Sequence, residues 1–238
     1  EYRFKAVNPS NEHFIDTTLG KVILYHFAGG QRHLLLTHGW ADTSKSFQTI
    51  IKKLLDTGYS VWSIDHIGHG KSEGNLSHAV AFIDGIACAM NFIEKKYGPL
   101  YGLIAHSMGG IAVLNQPNPE LINKKIVIMA VPFHFLDTIY KIIDQIGISK
   151  KIFRIMIKDI ENTHNVESDS INLHHHSNKF TKNVLFIHDK DDEHCSYKDL
   201  NPLVTESKSQ LYSTQGKFHR GSFKDEACIE EILKFLKP

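Results

Sequence analysis

Short runs of apolar residues that suit β-strands alternate along most of the chain with longer stretches in which apolar residues recur at helical spacing. Helical spacing is clearest over residues 44–55, 78–95 and 225–236. Six runs indicate strands, and they are residues 33–37, 59–65, 100–105, 125–131, 183–187 and 210–214. The alternation predicts an α/β fold, a mostly parallel sheet with helices on both faces.

Two departures from this alternation are expected near the start and the middle of the chain. Residues 12–16 and 21–27 are separated by a short turn and predict an antiparallel hairpin. Ser44 is a plausible N-cap for the first helix. The helical pattern after residue 105 extends only to about Asn115, because Pro117 and Pro119 interrupt it.

The region between residues 132 and 183 has a different pattern. Residues 136–160 predict two amphipathic helices that are split at Gly147, and no strand is indicated before residue 183. Such a stretch is longer than a crossover connection needs. We therefore expect residues 1–132 and 183–238 to form the core and residues 133–182 to form a helical cap over the carboxyl edge of the sheet. The alternative is a pair of ordinary packing helices with a loose loop.

Composition narrows the class of protein without identifying it. A chain of 238 residues with a net charge of +1 fits one α/β domain, and it gives no reason to expect nucleic acid or acidic membranes as partners. No apolar run approaches the ~20 residues that span a bilayer. Three distant cysteines and the lack of an apolar leader predict reduced thiols and a cytoplasmic location. Because no initiator Met is present, we expect a few leading residues to be missing.

The most informative segment is residues 103–112, Leu-Ile-Ala-His-Ser-Met-Gly-Gly-Ile-Ala. An apolar run leads into a single serine, two glycines follow, and the small and apolar residues after them suit a helix. This arrangement places Ser107 on a tight strand-to-helix turn, beside the backbone N–H groups of the new helix. The A-H-S-M-G sequence resembles the G-x-S-x-G nucleophile elbow of the α/β-hydrolase superfamily, with Ala105 at the first glycine position.

The resemblance implies a base on the loop after the last strand, because the superfamily has the chain order serine, acid, histidine. His219 occupies that loop, whereas the adjacent His106 should point away from Ser107 on a tight turn. Phe218 stands where many relatives have glycine. The alternative for His219 is an ordinary histidine of a surface loop.

The same resemblance implies an acid after the penultimate strand. Residues 188–193, His-Asp-Lys-Asp-Asp-Glu, resemble the H-G-x-x-D loop of the superfamily, and counting four residues beyond His188 selects Asp192. Asp191 is the alternative acid, and both Asp189 and Asp191 are interpreted as solvated. A calcium loop is a competing interpretation, but the spacing lacks the regular ligands of an EF-hand.

Two further landmarks complete the resemblance. His38-Gly39-Trp40 resembles the H-G-x oxyanion motif, so the N–H groups of Trp40 and Met108 are expected to bind the developing oxyanion. The Trp40 ring either lines the acyl pocket or packs in the core, and His38 is expected to be structural. Residues 65–72 match the D-x-x-G-x-G-x-S turn of the superfamily.

The resemblance implies a serine hydrolase that cleaves a carboxylic ester or thioester of a small to medium apolar acyl group. Hydrolysis of a C–C bond, an amide or a lactone on the same fold remains open, as does a non-catalytic binding or signalling role. A small-molecule acyl substrate is the expected partner, no cofactor is implied, and the oligomeric state is open. The three histidines at 174–176 are interpreted as a solvated segment rather than a metal site.

Overall fold

A computed structural model describes residues 3–117, 121 and 123–238. Within these ranges eight strands form one sheet, and they are β1 (Asn11–Thr17), β2 (Gly20–Phe27), β3 (Arg32–Thr37), β4 (Tyr59–Asp65), β5 (Leu100–His106), β6 (Lys125–Met129), β7 (Val184–Asp189) and β8 (Gln210–Thr214). Their order across the sheet is β1-β2-β4-β3-β5-β6-β7-β8. The β1–β2 and β2–β4 pairs are antiparallel, and the other five pairs are parallel. The predicted fold class and the opening hairpin are confirmed.

Helices cover both faces of this sheet, and they are α1 (Gln48–Asp56), α2 (Ala79–Tyr97), α3 (Met108–Leu114), α4 (Phe135–Gln145), α5 (Lys150–His164), α6 (Tyr197–Glu206) and α7 (Glu226–Leu236). The strand β3 illustrates the two-sided burial. Leu34 and Leu36 join the apolar cluster under α1 and α7, while Leu35 joins the cluster under α2 and α3. Successive side chains of a strand point to opposite faces, so a strand that is covered on both sides needs a continuous apolar run.

One predicted detail of the helices was wrong, and one helix was not predicted. Ser44 is not an N-cap; it begins a 3-10 turn (Ser44–Phe47) whose cap residue, Thr43, makes no side-chain cap bond. The N–H of Ser44 instead donates to Asp65 Oδ1 at 2.7 Å, which connects the turn to the end of β4. The helix α6 was not predicted, because Pro202 lies inside it and proline in a sequence usually indicates that a helix is interrupted.

The helix after β5 is short, as the sequence predicted. It ends at Leu114, and the side-chain amide of Gln116 donates to the carbonyl oxygens of Ala112 and Ile83, both at 2.9 Å. These bonds satisfy carbonyl groups near the helix terminus and connect it to α2. The second proline that was expected to end the helix, Pro119, lies outside the described residues.

The region between β6 and β7 contains α4, α5 and two 3-10 turns, Ser168–Ile171 and Leu173–Lys179. Leu173 in the second turn is fully buried against the sheet, whereas α5 has no buried residue. The cap boundaries of 133 and 182 stay a prediction, but the buried side chains divide this region into an exposed helical part and a part that belongs to the core. None of the described helices is both long and apolar enough to cross a membrane.

Candidate active site

Ser107 lies between β5 and α3 with backbone angles φ 51° and ψ −117°. Non-glycine residues rarely adopt a positive φ, so the surrounding structure must hold this turn in place. The Ser107 N–H donates to the carbonyl oxygen of Met129 on the neighbouring strand at 2.9 Å. A Cβ atom at Gly109 would lie 2.7 Å from the carbonyl oxygens of both Thr37 and His38, so only glycine fits there. The turn projects the Ser107 side chain at the carboxyl edge of the sheet.

The structure brings Ser107 and the two other residues that the resemblance singled out into one hydrogen-bonded row. His219 Nε2 lies 3.1 Å from Ser107 Oγ, and His219 Nδ1 lies 2.9 Å from Asp192 Oδ2. A carboxylate can only accept hydrogen bonds, so Nδ1 must carry the proton and Nε2 is left to accept from the serine hydroxyl. The three residues come from the connections after β5, β7 and β8, which all end at the same edge of the sheet.

The carboxylate of Asp192 is enclosed, with none of its side chain exposed. Its Oδ1 atom accepts hydrogen bonds from the N–H groups of His194 and Cys195, each at 2.9 Å. Burial raises the pKa of Asp192, but the hydrogen bonds from His219, Cys195 and His194 outweigh burial, so the pKa lies below its ordinary value. The acid is therefore ionised at neutral pH and can hold the imidazole in place.

The loop of Asp192 is organised by a residue that the sequence analysis misjudged. Asp189 was interpreted as solvated, but it is buried. Its Oδ2 accepts from Thr214 Oγ1 at 2.6 Å and from the Lys217 N–H at 2.9 Å, so it connects the acid loop to the loop that carries His219. Asp191 is exposed, as expected. The signal for Asp189 was its position directly at the end of a buried strand.

His106 lies beneath the site and points away from Ser107, as the tight turn required. Its Nε2 is 2.9 Å from the backbone carbonyl oxygen of His219. Burial lowers the pKa of His106 to about 3, so the ring is neutral and can donate one hydrogen bond to this carbonyl. His106 is therefore a positioning residue for the His219 loop. Nothing in the sequence spacing identifies this role, because the bond joins residues that are 113 positions apart.

His38 also has the structural role that was expected of it. It is fully buried, its Nε2 accepts from the His66 N–H at 3.1 Å, and its Nδ1 lies 2.7 Å from the carbonyl oxygen of Gly39. Burial lowers the pKa of His38, so a neutral ring can satisfy both contacts. These bonds fix the turn that leads into Trp40.

The two backbone groups that were expected to bind an oxyanion belong to Met108 and Trp40. Met108 is the first residue of α3, and in the described part of the chain neither its N–H nor that of Trp40 has a hydrogen-bond partner. A Cβ atom at Gly39 would lie 2.8 Å from Ser107 Cβ, so the loop before Trp40 lies directly against the serine. The Trp40 ring is 49% exposed and stacks on Phe82, which places it at the surface of the site rather than in the core.

Phe218, next to the histidine of the row, has φ 57° and an exposed side chain. This positive φ explains why glycine suits the position, since glycine alone adopts such angles without steric cost. The phenylalanine adds an apolar group beside His219.

Among the residues that the structure describes, two groups of side chains have spacing that could suit a metal ion. Asp169, His174 and His175 offer ligand atoms within 4.8 Å of one another, all on exposed side chains, and His175 Nε2 is 3.0 Å from Asp169. The sequence alone did not indicate that Asp169 lies beside His174 and His175. The prediction that this segment does not bind a metal ion stays a prediction. Cys195 lies similarly near Asp192 and His219, but burial raises the pKa of its thiol well above the ordinary value, which disfavours the thiolate that a metal needs.

The sheet order and the strand-to-helix turn at Ser107 define the α/β-hydrolase class of protein. Comparison with known families identifies one family within this class. Residues 30–190 match the model of the family described as serine aminopeptidase, S33 (Hydrolase_4). The match covers well over half of the chain, and the chain belongs to this family.

Individual relatives agree with this assignment. A serine hydrolase-like protein of Danio rerio is 31% identical over 110 residues, which is 45% of this chain and 33% of the relative. Human monoglyceride lipase is 31% identical over 87 residues, 34% of this chain and 28% of the lipase. The chain thus spans a third or less of the length of these two relatives. The structure of the Pyrococcus furiosus esterase Pf2001 matches with a TM-score of 0.72 and 16% identity over 99% of this chain and 98% of the esterase, a likeness of fold.

Proposed function

We propose that this protein is a serine hydrolase that cleaves a carboxylic ester or thioester. The observation that carries the proposal is the row of Ser107 Oγ, His219 Nε2, His219 Nδ1 and Asp192 Oδ2, with separations of 3.1 Å and 2.9 Å. These distances are within the reach that proton transfer requires. A free serine is almost un-ionised at neutral pH, and a neighbouring base removes this obstacle.

In the proposed reaction, Ser107 Oγ attacks the carbonyl carbon while His219 Nε2 takes the hydroxyl proton. The carbonyl oxygen becomes an oxyanion, which the N–H groups of Met108 and Trp40 stabilise. The intermediate collapses, the bond to the leaving group breaks, and His219 returns the proton to that group. Water then attacks the acyl-enzyme with His219 as the base, and the acid product and free Ser107 result. Asp192 holds the imidazole and stabilises its charged form.

The proposed substrate is a small molecule with a small to medium apolar acyl group. Support comes from the two apolar side chains that frame the site. Trp40 follows the loop against Ser107, and Phe218 precedes the base; both are about half exposed. Binding pockets are commonly lined by apolar and aromatic side chains of this kind. The isoleucines of the cap give no such support, because several of them are exposed on its outer surface.

The family description favours one alternative chemistry on the same residues. Because the family is described as serine aminopeptidases, cleavage of an amide is a second candidate, and it needs the same nucleophile and base. C–C bond and lactone hydrolysis, or a non-catalytic role, complete the alternatives. A panel of p-nitrophenyl esters, acyl thioesters and aminoacyl p-nitroanilides would distinguish the esterase from the amidase.

The nucleophile itself is tested with a fluorophosphonate probe. We expect intact-protein mass spectrometry to detect a single adduct on the wild type and none on Ser107→Ala. The matched control is Ser222→Ala, a buried serine on the 3-10 turn after the His219 loop, which should label like wild type. Absence of the adduct on wild type, or equal labelling of Ser107→Ala, would refute the serine mechanism in its ester and amide forms together.

A further inference from the structure

The outer face of the cap carries a concentration of exposed apolar side chains. Five large ones fall within eleven consecutive residues, with exposed fractions from 42% at Ile148 to 63% at Ile146, and they are Ile146, Ile148, Ile152, Ile155 and Met156. Single exposed apolar residues are normal on a protein surface, but five within eleven residues are typical of an interaction site.

Other side chains of α5 contact the rest of the protein. The Phe153 ring packs edge-on against Tyr140 of α4 at 5.2 Å, and His164 lies 4.8 Å from His78, the residue that caps α2. Ile152, Ile155 and Met156 are spaced three and four residues apart, so they share one helix face. All three side chains are more than half exposed, so this apolar face is open to solvent.

A row of basic side chains runs beside the apolar face. Lys151, Arg154 and Lys158 recur at a spacing of three and four residues and are all exposed. Among the described residues, none of the three forms an ion pair within 4.0 Å, whereas Lys150 pairs with Asp144. We call these three basic and five apolar residues the cap surface. An exposed apolar stripe flanked by exposed cations is the pattern of a helix that lies in the interface of a membrane.

We propose that the cap surface docks on an anionic lipid bilayer. The apolar side chains would enter the boundary between headgroups and acyl chains, and the basic row would contact lipid phosphates. Charge complementarity favours this partner over a second copy of the chain, because an antiparallel two-fold pairing of two cap surfaces would bring the two basic rows together. The docking is peripheral, since no described helix is suited to span the bilayer.

Docking would bring the candidate active site close to lipid. The helix α4 follows β6, so the cap rises from the same edge of the sheet at which Ser107 lies. A cleft of about 110 Å³ between α4 and the acid loop, lined in part by His134, Asp137, Glu193 and His194, lies beside Asp192. The docking itself is independent of the proposed hydrolysis, because binding needs no chemistry.

The test is co-sedimentation of the whole chain with vesicles of phosphatidylglycerol and phosphatidylcholine, compared with vesicles of phosphatidylcholine alone. We expect binding to the anionic vesicles that weakens with added salt, and much weaker binding to the neutral ones. A basic residue near an anionic surface contributes about fivefold to partitioning, so Lys151→Gln/Arg154→Gln/Lys158→Gln should reduce binding by about a hundredfold. Ile152→Ser/Ile155→Ser/Met156→Ser should reduce it by at least about tenfold.

Matched variants make the outcome decisive. Leu76→Ser removes a side chain that is 86% exposed outside the cap, and it should bind like wild type, as should Ser107→Ala. The two triple variants of the cap surface replace exposed residues, and unchanged thermal unfolding would verify that they fold. Equal binding by wild type and both triple variants, or an equal loss in Leu76→Ser, would overturn the proposal. So would self-association of the wild type that the apolar triple variant abolishes, without any vesicle binding.

Discussion

Two adjacent acids, Asp191 and Asp192, have very different surroundings. Asp192 accepts hydrogen bonds from His219 and from two backbone N–H groups inside the protein, whereas Asp191 is exposed and accepts one from the Gly216 N–H. The two acids are consecutive residues of one loop, and their side chains lie in different surroundings. A substitution of Asp191 is therefore a matched control for the same substitution of Asp192.

We expect Asp192→Asn to lower kcat by about 10³- to 10⁴-fold with a small change in KM, because an amide no longer selects the imidazole tautomer that accepts from Ser107. Asp191→Asn should stay close to wild type. Steady-state kinetics on an ester that the wild type hydrolyses would measure both variants. If Asp191→Asn caused the large loss and Asp192→Asn did not, the acid would be misassigned.

Phe218 offers a second test at the residue scale, because it holds a positive φ beside His219. Phe218→Ala removes the ring but keeps a Cβ atom, so the steric cost of the positive φ remains. Phe218→Gly removes this cost. We expect Phe218→Gly to be more stable than Phe218→Ala by about 1 kcal/mol in urea unfolding. Equal stability of the two variants would mean that the loop relaxes to an ordinary φ.

At the scale of the element, the region between β6 and β7 has two parts with different energetic roles. Ile171, Leu173 and Phe180 are buried in the apolar cluster of the sheet, whereas α5 packs against α4 through partly exposed side chains. Periodicity identified α4 and α5 but could not separate these parts. A helical pattern predicts that a face is apolar, without identifying what covers that face.

This division predicts unequal effects of similar truncations. Leu173→Ala should reduce the free energy of unfolding by about 2–5 kcal/mol, because it leaves a cavity in a fully buried site. Ile155→Ala, on the exposed face of α5, should change it by less than about 0.5 kcal/mol. Urea unfolding measures both. A large loss from Ile155→Ala would indicate that α5 is covered in solution.

At the scale of the whole molecule, several buried histidines give folding a common dependence on pH. Burial lowers the pKa values of His38 and His66, and it lowers those of His26 and His106 to about 4 and about 3. Each ring is held neutral in the folded chain and takes up a proton more readily when unfolded. Their contribution to stability is complete above the unfolded pKa of 6.5 and declines as the pH falls towards the folded values.

His26 allows this contribution to be measured separately, because its ring stacks on Trp62 at 3.8 Å far from the candidate site. Phenylalanine can keep the stacking but cannot titrate. We expect His26→Phe to lose less stability than wild type between about pH 6.5 and about pH 4, by up to about 3 kcal/mol. Urea unfolding across this range checks the difference. Parallel pH curves for the two proteins would contradict the assignment.

The net charge of a chain does not describe the charge of a local surface. A net charge of +1 gave no reason to expect an acidic membrane as a partner. The fold nevertheless collects Lys151, Arg154 and Lys158 on one exposed side of a helix whose neighbouring face is apolar. Association depends on the local field within about a Debye length, roughly 10 Å, and a sum over the chain does not describe that field.

The alternation of strands and helices, apart from α6, and the position of Ser107 on its turn were predictable from the sequence, because they depend on local periodicity. The order of landmarks along the chain singled out His219, and the structure places its ring beside Ser107. The packing of the rings and carboxylates was not predictable from the sequence. Asp189 connects the loops of Asp192 and His219, and His106 contacts the backbone carbonyl of His219. The region between β6 and β7 has a buried part and an exposed part. All three features depend on residues that are distant in the sequence. The burial and the hydrogen-bond partners of these side chains depend on which distant residues pack around them, and only the tertiary structure determines that packing.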